Sequence, residues 1–209
     1  MTDHDLLIDK LSRGASPVKR TRPTGWRVLA WIAMALPCGA AASLIVHRTL
    51  NDWSQPGMQW AALQLLLTFL TGTLAIRNAF QMSIAGRRPL GWRWFMPLVG
   101  VWLVSILINL RNAPETAGHM EGTNCYLFMM VVSIPMMAIV IGYLRQTRAL
   151  FPVRSLAVAG AGVACMALSL LSLCHPIHLH WLDFIQHLGA IATIVLLTIL
   201  FGRRWVVLR

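Results

Sequence analysis

Charge is what this sequence has least of. Only 12% of its 209 residues are Asp, Glu, Lys or Arg, against about 25% in a typical soluble domain. Acids are rarest, seven in all, and none falls in the interior of a long apolar run, where an ion or proton path would place them. The chain has no paired carboxylates, no Gly-rich phosphate loop, no GxSxG and no CxxC. It also lacks HExxH and zinc-finger spacings, and so the usual signatures of hydrolases, nucleotide enzymes and metalloproteases. No solenoid-type repeat and no low-complexity tract occurs. These absences disfavour an enzyme, a transporter and a haem protein with His ligands on facing helices.

What remains is apolar: 57% hydrophobic residues with a mean hydropathy of +0.64. Six apolar runs, at about 26–46, 57–76, 94–110, 123–144, 155–174 and 182–201, each approach the roughly 17–25 residues that cross a bilayer. The expected fold is therefore all-α: a polytopic membrane protein with six transmembrane helices in one bundle. Residues 1–25 form a polar tail, and Asp3, Asp5 and Asp9 stand where a secretory signal would be basic. Pro37, Pro97 and Pro135 fall inside spans, tolerable where neighbours satisfy the freed carbonyls. Trp92 and Trp94 open the third run as interfacial anchors. Small residues at spacing four in the fifth run, Gly160 with Ala164 and Ala157 with Ala161, allow close helix approach.

The formal charge of +11 invites a nucleic-acid reading, but its distribution argues for topology. Lys10, Arg13, Lys19, Arg20, Arg22 and Arg27 lie before or at the first span. Arg77, Arg87, Arg88 and Arg93 lie between spans two and three. Arg145, Arg148 and Arg154 lie between four and five, and Arg203, Arg204 and Arg209 follow span six. That side holds 16 of the 18 basic residues, leaving Arg48 and Arg111 for the other. The positive-inside rule then makes both termini cytoplasmic, and the basic surface meets anionic headgroups. No direct contact with nucleic acid is expected.

Two stretches carry candidate chemistry. Residues 2–12 read as a short amphipathic helix, with Thr2 as N-cap and Asp3 and Asp5 at the positive end of its dipole. Leu7 and Leu11 are four apart, and Ile8 and Leu11 three apart, so they share a face. At about ten residues such a helix is marginal alone and calls for a partner surface. A basic linker follows at residues 13–25. The second stretch is Cys174-His175-Pro176-Ile177-His178-Leu179-His180, with His187 seven residues on. By the topology above it lies at the outer rim, as does Cys125. Cys125 opens span four and Cys174 closes span five, and equal counts from the turn between them put the two thiols at similar height. A disulfide is permitted if the two faces turn toward each other. Soft sulfur and imidazole nitrogen suit thiol redox chemistry or a Zn- or Cu-type ion. Cys125, Cys174 and His187 are the candidate ligands of a soft metal ion, with His175 and His178 in lesser roles. Cys125 and Cys174 are equally compatible with incidental packing, and the loop histidines with a wet interface. Asp183 and His187, four apart, read as a carboxylate orienting an imidazole or as a surface pair. Cys38 and Cys165 read as small packing residues.

With these residues in view, the chain resembles the NrsF-type membrane anti-sigma factors, negative regulators of extracytoplasmic-function (ECF) sigma factors in bacteria. The resemblance covers nearly the whole length. It rests on the opening Thr2-Asp3-His4-Asp5-Leu6-Leu7-Ile8-Asp9-Lys10-Leu11, on Pro17-Val18-Lys19-Arg20 and on six short-looped spans. It continues through Cys125 before a helix containing Pro135, the Arg145-to-Pro152 turn, the small-residue fifth span, Cys174 and His187. It implies a non-enzymatic protein of the bacterial inner membrane that holds an ECF sigma factor inactive at the cytoplasmic face. It further implies that two outer cysteines take part in stress sensing and that the tail helps retain the sigma factor. By position these roles fall on Cys125 and Cys174, and on Asp5, Leu6, Ile8 and Leu11, with Leu7 on the same apolar strip. The family's Trp-His pair in span six is broken here, since Gln186 precedes His187, and His178 and His180 lie outside its pattern. The competing classes are a membrane thiol oxidoreductase working with a quinone, which needs a second outer cysteine pair, and a small metal or proton transporter.

Overall fold

A computed structural model describes residues 3–14, 22–46, 58–84, 86–111, 124–147, 151–174 and 181–206. Among them the chain is helical with no strand. The helices are α1 (Asp3–Gly14), α2 (Thr24–Ala42), α3 (Met58–Met82), α4 (Phe95–Arg111), α5 (Cys125–Arg145), α6 (Pro152–Leu171) and α7 (Trp181–Val206), with short 3-10 turns at Ser43–Ile45 and Trp92–Trp94. Six of these, α2 to α7 with their 3-10 extensions, are long and apolar enough to cross a membrane. The all-α, six-span expectation therefore holds. Element ends shift where local chemistry outweighs hydropathy. α3 runs on to Met82, taking Arg77 and Asn78 into the helix, and α7 runs on to Val206, taking in Arg203 and Arg204. α6 starts at Pro152, whose fixed φ suits a first helical position, and it ends at Leu171, three residues short of Cys174. Pro97 lies in the first turn of α4, where its missing N–H forfeits no helical bond. Pro37 and Pro135 are helix-interior.

α6 is the hub, and its small residues decide its neighbours. A Cβ built on Gly162 would lie 2.8 Å from Ile76 of α3, and one on Gly160 would lie 2.9 Å from the Val195 Cα of α7. Two adjacent faces of α6 thus receive two different helices, a tighter approach than Leu-lined faces allow. The α3 contact centres on Gly72, where a Cβ would meet the Gly162 carbonyl oxygen at 3.1 Å and the Cys165 Cβ at 3.2 Å. One buried polar link joins the same pair, Thr68 Oγ1 to Ser169 Oγ at 3.1 Å; one hydroxyl donates across it while the other donates to the carbonyl four residues back. α5 packs against α6, α7 and α2, and contributes Phe128, Met129, Val132, Met136 and Val140 to the core. α4 packs mainly on α3 and buries only Phe95, Ser105 and Ile106. Its Met96, Val101, Val104 and Leu107 are exposed, as suits a helix facing lipid.

Candidate functional site

At the end where α5 begins, α6 ends and α7 begins, four sequence-singled residues come into the described structure. Asn124 caps α5, its Oδ1 accepting from the Leu127 amide at 3.3 Å, and this fixes Cys125 as the first helical residue. Beyond α6 the chain tightens. Leu173 N donates to Leu170 O at 3.2 Å and Cys174 N to Leu171 O at 2.8 Å, so Cys174 turns inward past the helix end. Cys125 and Cys174 are each 3% exposed and belong to one core cluster. α7 adds His187, buried, and Asp183, half-buried one turn earlier. Asp183 lies close enough for its charge to act at Cys125, and Tyr126 donates to Thr193 Oγ1 at 3.2 Å to tie α5 to α7. Two thiols and an imidazole are thus buried toward the end where α5 begins, α6 ends and α7 begins, with the half-buried Asp183 carboxylate within electrostatic reach of Cys125.

The four cysteines are thiols, and no disulfide is formed among the described residues. No group of three or more His, Cys, Asp or Glu among the described residues is arranged to hold a metal ion. His175, His178 and His180 lie outside the described residues. Cys165 packs on Gly72 of α3 as a core residue would. Cys38, by contrast, is exposed on α2 and faces away from the bundle.

The tail forms α1, two residues longer at its C-terminal end than the periodicity suggests. An ion pair from Arg13 Nη2 to Asp9 Oδ2 at 2.7 Å links i and i+4, an arrangement that supports a short exposed helix. Leu6, Leu7, Ile8 and Leu11 are all more than half exposed. The residues of the proposed basic linker from 15 to 21 lie outside the described residues.

The opposite end of the bundle holds a buried cation. Arg27, in the first turn of α2, is 5% exposed. Its Nη2 donates to the Tyr143 carbonyl oxygen of α5 at 3.3 Å, and its guanidinium lies 4.6 Å from the Phe80 ring centroid of α3. Arg87, from the α3–α4 connection, donates to Thr24 Oγ1 at 2.9 Å. Asn78 anchors that connection, its Oδ1 accepting from Leu90 N at 2.9 Å. Nearby, Arg145 stacks over Trp205, 5.6 Å from the ring centroid, joining the ends of α5 and α7.

The family described as NrsF, negative regulator of sigma F, matches residues 11–207. The chain belongs to the NrsF family. No curated protein and no solved structure matches it. Membership makes the chain a regulator of a sigma factor, and NrsF is not an enzyme family. The matched range takes in Leu11 of the tail, both buried cysteines, His187 and Arg27. Sequence reasoning counted Arg27 and Arg87 only as topology charges in this NrsF chain. The missed signal was spacing. Arg27, Trp31 and Ala35 are successive i,i+4 positions, and all three are buried on one face of α2.

Proposed function

We propose that this protein is an inner-membrane anti-sigma factor that sequesters an ECF sigma factor at the cytoplasmic face and releases it when Cys125 and Cys174 are oxidised or take a soft metal ion. The observation that carries the reading is α1, a helix with four large aliphatic side chains exposed beside acidic residues, in a chain whose family regulates a sigma factor. An exposed Leu/Ile strip flanked by carboxylates suits a basic, apolar groove on a partner. Asp5, Leu6, Leu7, Ile8 and Leu11 make that contact.

The signal runs along α5. Cys125 is its first residue, and Tyr143 and Arg145 lie in its last turn. Oxidation of the two thiols to a disulfide gives two protons and two electrons to an external oxidant and shortens the distance between α5 and the end of α6. A shift of α5 reaches α2 through the Tyr143–Arg27 bond and α7 through Arg145 and Trp205. α2 is the helix to which the tail is joined. Swinging a population from 1:99 to 99:1 takes about 5.5 kcal/mol of differential stabilisation, and a disulfide or a soft-metal site supplies energy of that order. The test is co-purification of the tagged full chain from native membranes. The sigma factor is expected with the parent, absent after deletion of residues 1–12, and released from the parent by oxidant or Cd ion. A tail-deleted chain that retains the sigma factor in full removes α1 as the docking element.

A further inference from the structure

Two guanidinium groups meet at the start of α2, and no carboxylate among the described residues balances them. Arg27 is more than nine-tenths buried, and its Nη1 is buried with no hydrogen-bond partner. Its other contacts are a neutral carbonyl and an aromatic face. Arg87 lies within electrostatic range of Arg27 and bonds only a neutral hydroxyl, that of Thr24. A buried cation without a counter-charge is costly, and the exposed Arg87 sets a second positive charge beside it. The start of α2 adds donors of the same polarity. Its N-cap is Pro23, no side chain caps it, and no acid lies in its first turn. The first intrahelical bond is Arg27 N to Pro23 O at 3.2 Å. The amides of Thr24, Gly25 and Trp26 therefore precede the helical ladder, at the positive end of the dipole.

We infer that this cluster is a binding site for a phosphate group, in the first instance the headgroup phosphate of an anionic phospholipid. Guanidinium forks, helix-start amides and a hydroxyl form the donor set that phosphate selects. Depth favours a lipid as the source. α2 enters the membrane here, Trp26 is exposed beside the cluster, and Trp92 and Trp94 are exposed at the same end of the bundle, the level at which headgroups lie. The site is built rather than incidental, because Asn78 pins the connection that carries Arg87 and Phe80 and Tyr143 fix Arg27. A phosphate oxygen would replace the Thr24 hydroxyl as the acceptor for Arg87 and draw Nη1 of Arg27 into a charged hydrogen bond.

The experiment uses the full chain, delipidated in neutral detergent. Thermal unfolding and native mass spectrometry follow additions of phosphatidylglycerol, phosphatidylcholine or inorganic phosphate. Phosphatidylglycerol is expected to raise the melting temperature and to remain bound, and phosphatidylcholine to do neither. Arg87→Gln is expected to weaken retention about tenfold, as loss of one charge-assisted hydrogen bond implies, while Arg88→Gln, an exposed neighbour, should not. Arg27→Lys keeps the charge and loses the fork, so it should weaken the lipid without unfolding the chain. Equal stabilisation by inorganic phosphate would keep the phosphate site and assign it to a soluble ligand. Three results would overturn the inference: equal retention of the two lipids, retention insensitive to both Arg87→Gln and Arg27→Lys, or stabilisation that comes only from added sigma factor.

Discussion

Changing Leu7 and Leu11 to Asp tests the docking role of α1 with the least risk to the fold. Leu7 is 55% and Leu11 65% exposed, so neither supports the bundle. Full burial of a Leu side chain is worth about 1.5–3 kcal/mol, and only the part still exposed can be gained on binding. For the two residues together that is about 2–4 kcal/mol, or roughly 30- to 1,000-fold in affinity. The assay is titration of purified sigma factor onto the full chain in nanodiscs, with melting temperature as the check on folding. Parent-like affinity in the Leu7→Asp, Leu11→Asp variant would refute the reasoning.

Other outcomes follow from the same structure. Reporter fusions at Arg87, Gln146 and the C-terminus should report cytoplasm and one at Ala117 the outside; a periplasmic signal at Gln146 would invert the sensor end. Cys125→Ser, Cys174→Ser and the double change should all abolish release by oxidant or Cd while leaving the sigma factor bound, with the double no worse than either single, the mark of a shared unit. A promoter readout under stress checks this, and normal induction in the double variant would remove the thiols from the mechanism. Cys38→Ser and Cys165→Ser should signal like the parent. Gly160→Val should lower the melting temperature in detergent, because a Cβ there meets the Val195 backbone at 2.9 Å and overpacking costs about 1–3 kcal/mol. Gly142→Ala, with nothing within 4 Å of the added Cβ, should not.

The six spans were legible from composition and length alone, because an apolar run long enough to cross a bilayer has few other fates. The amphipathic strip of α1 was legible too, since a lone helix shows its face through Leu7 and Leu11 spacing. Counting from the turn between spans four and five placed Cys125 and Cys174 at one end. Which way any spanning helix turns was another matter. In lipid an apolar side chain satisfies either the bundle or the bilayer, so α4 and α5 look alike in sequence although one lies at the edge and the other inside. Tertiary contacts alone decided that Gly160 receives α7 and Gly162 receives α3. They also decided that Cys38 faces outward, and that Cys174 folds in beyond the end of α6. Arg27 shows the difference most sharply. Sequence reading placed it in the water-facing charge count, and its position on the Trp31–Ala35 face buried it against Phe80 and Tyr143, because packing rather than hydropathy sets which stripe of a spanning helix meets its neighbours.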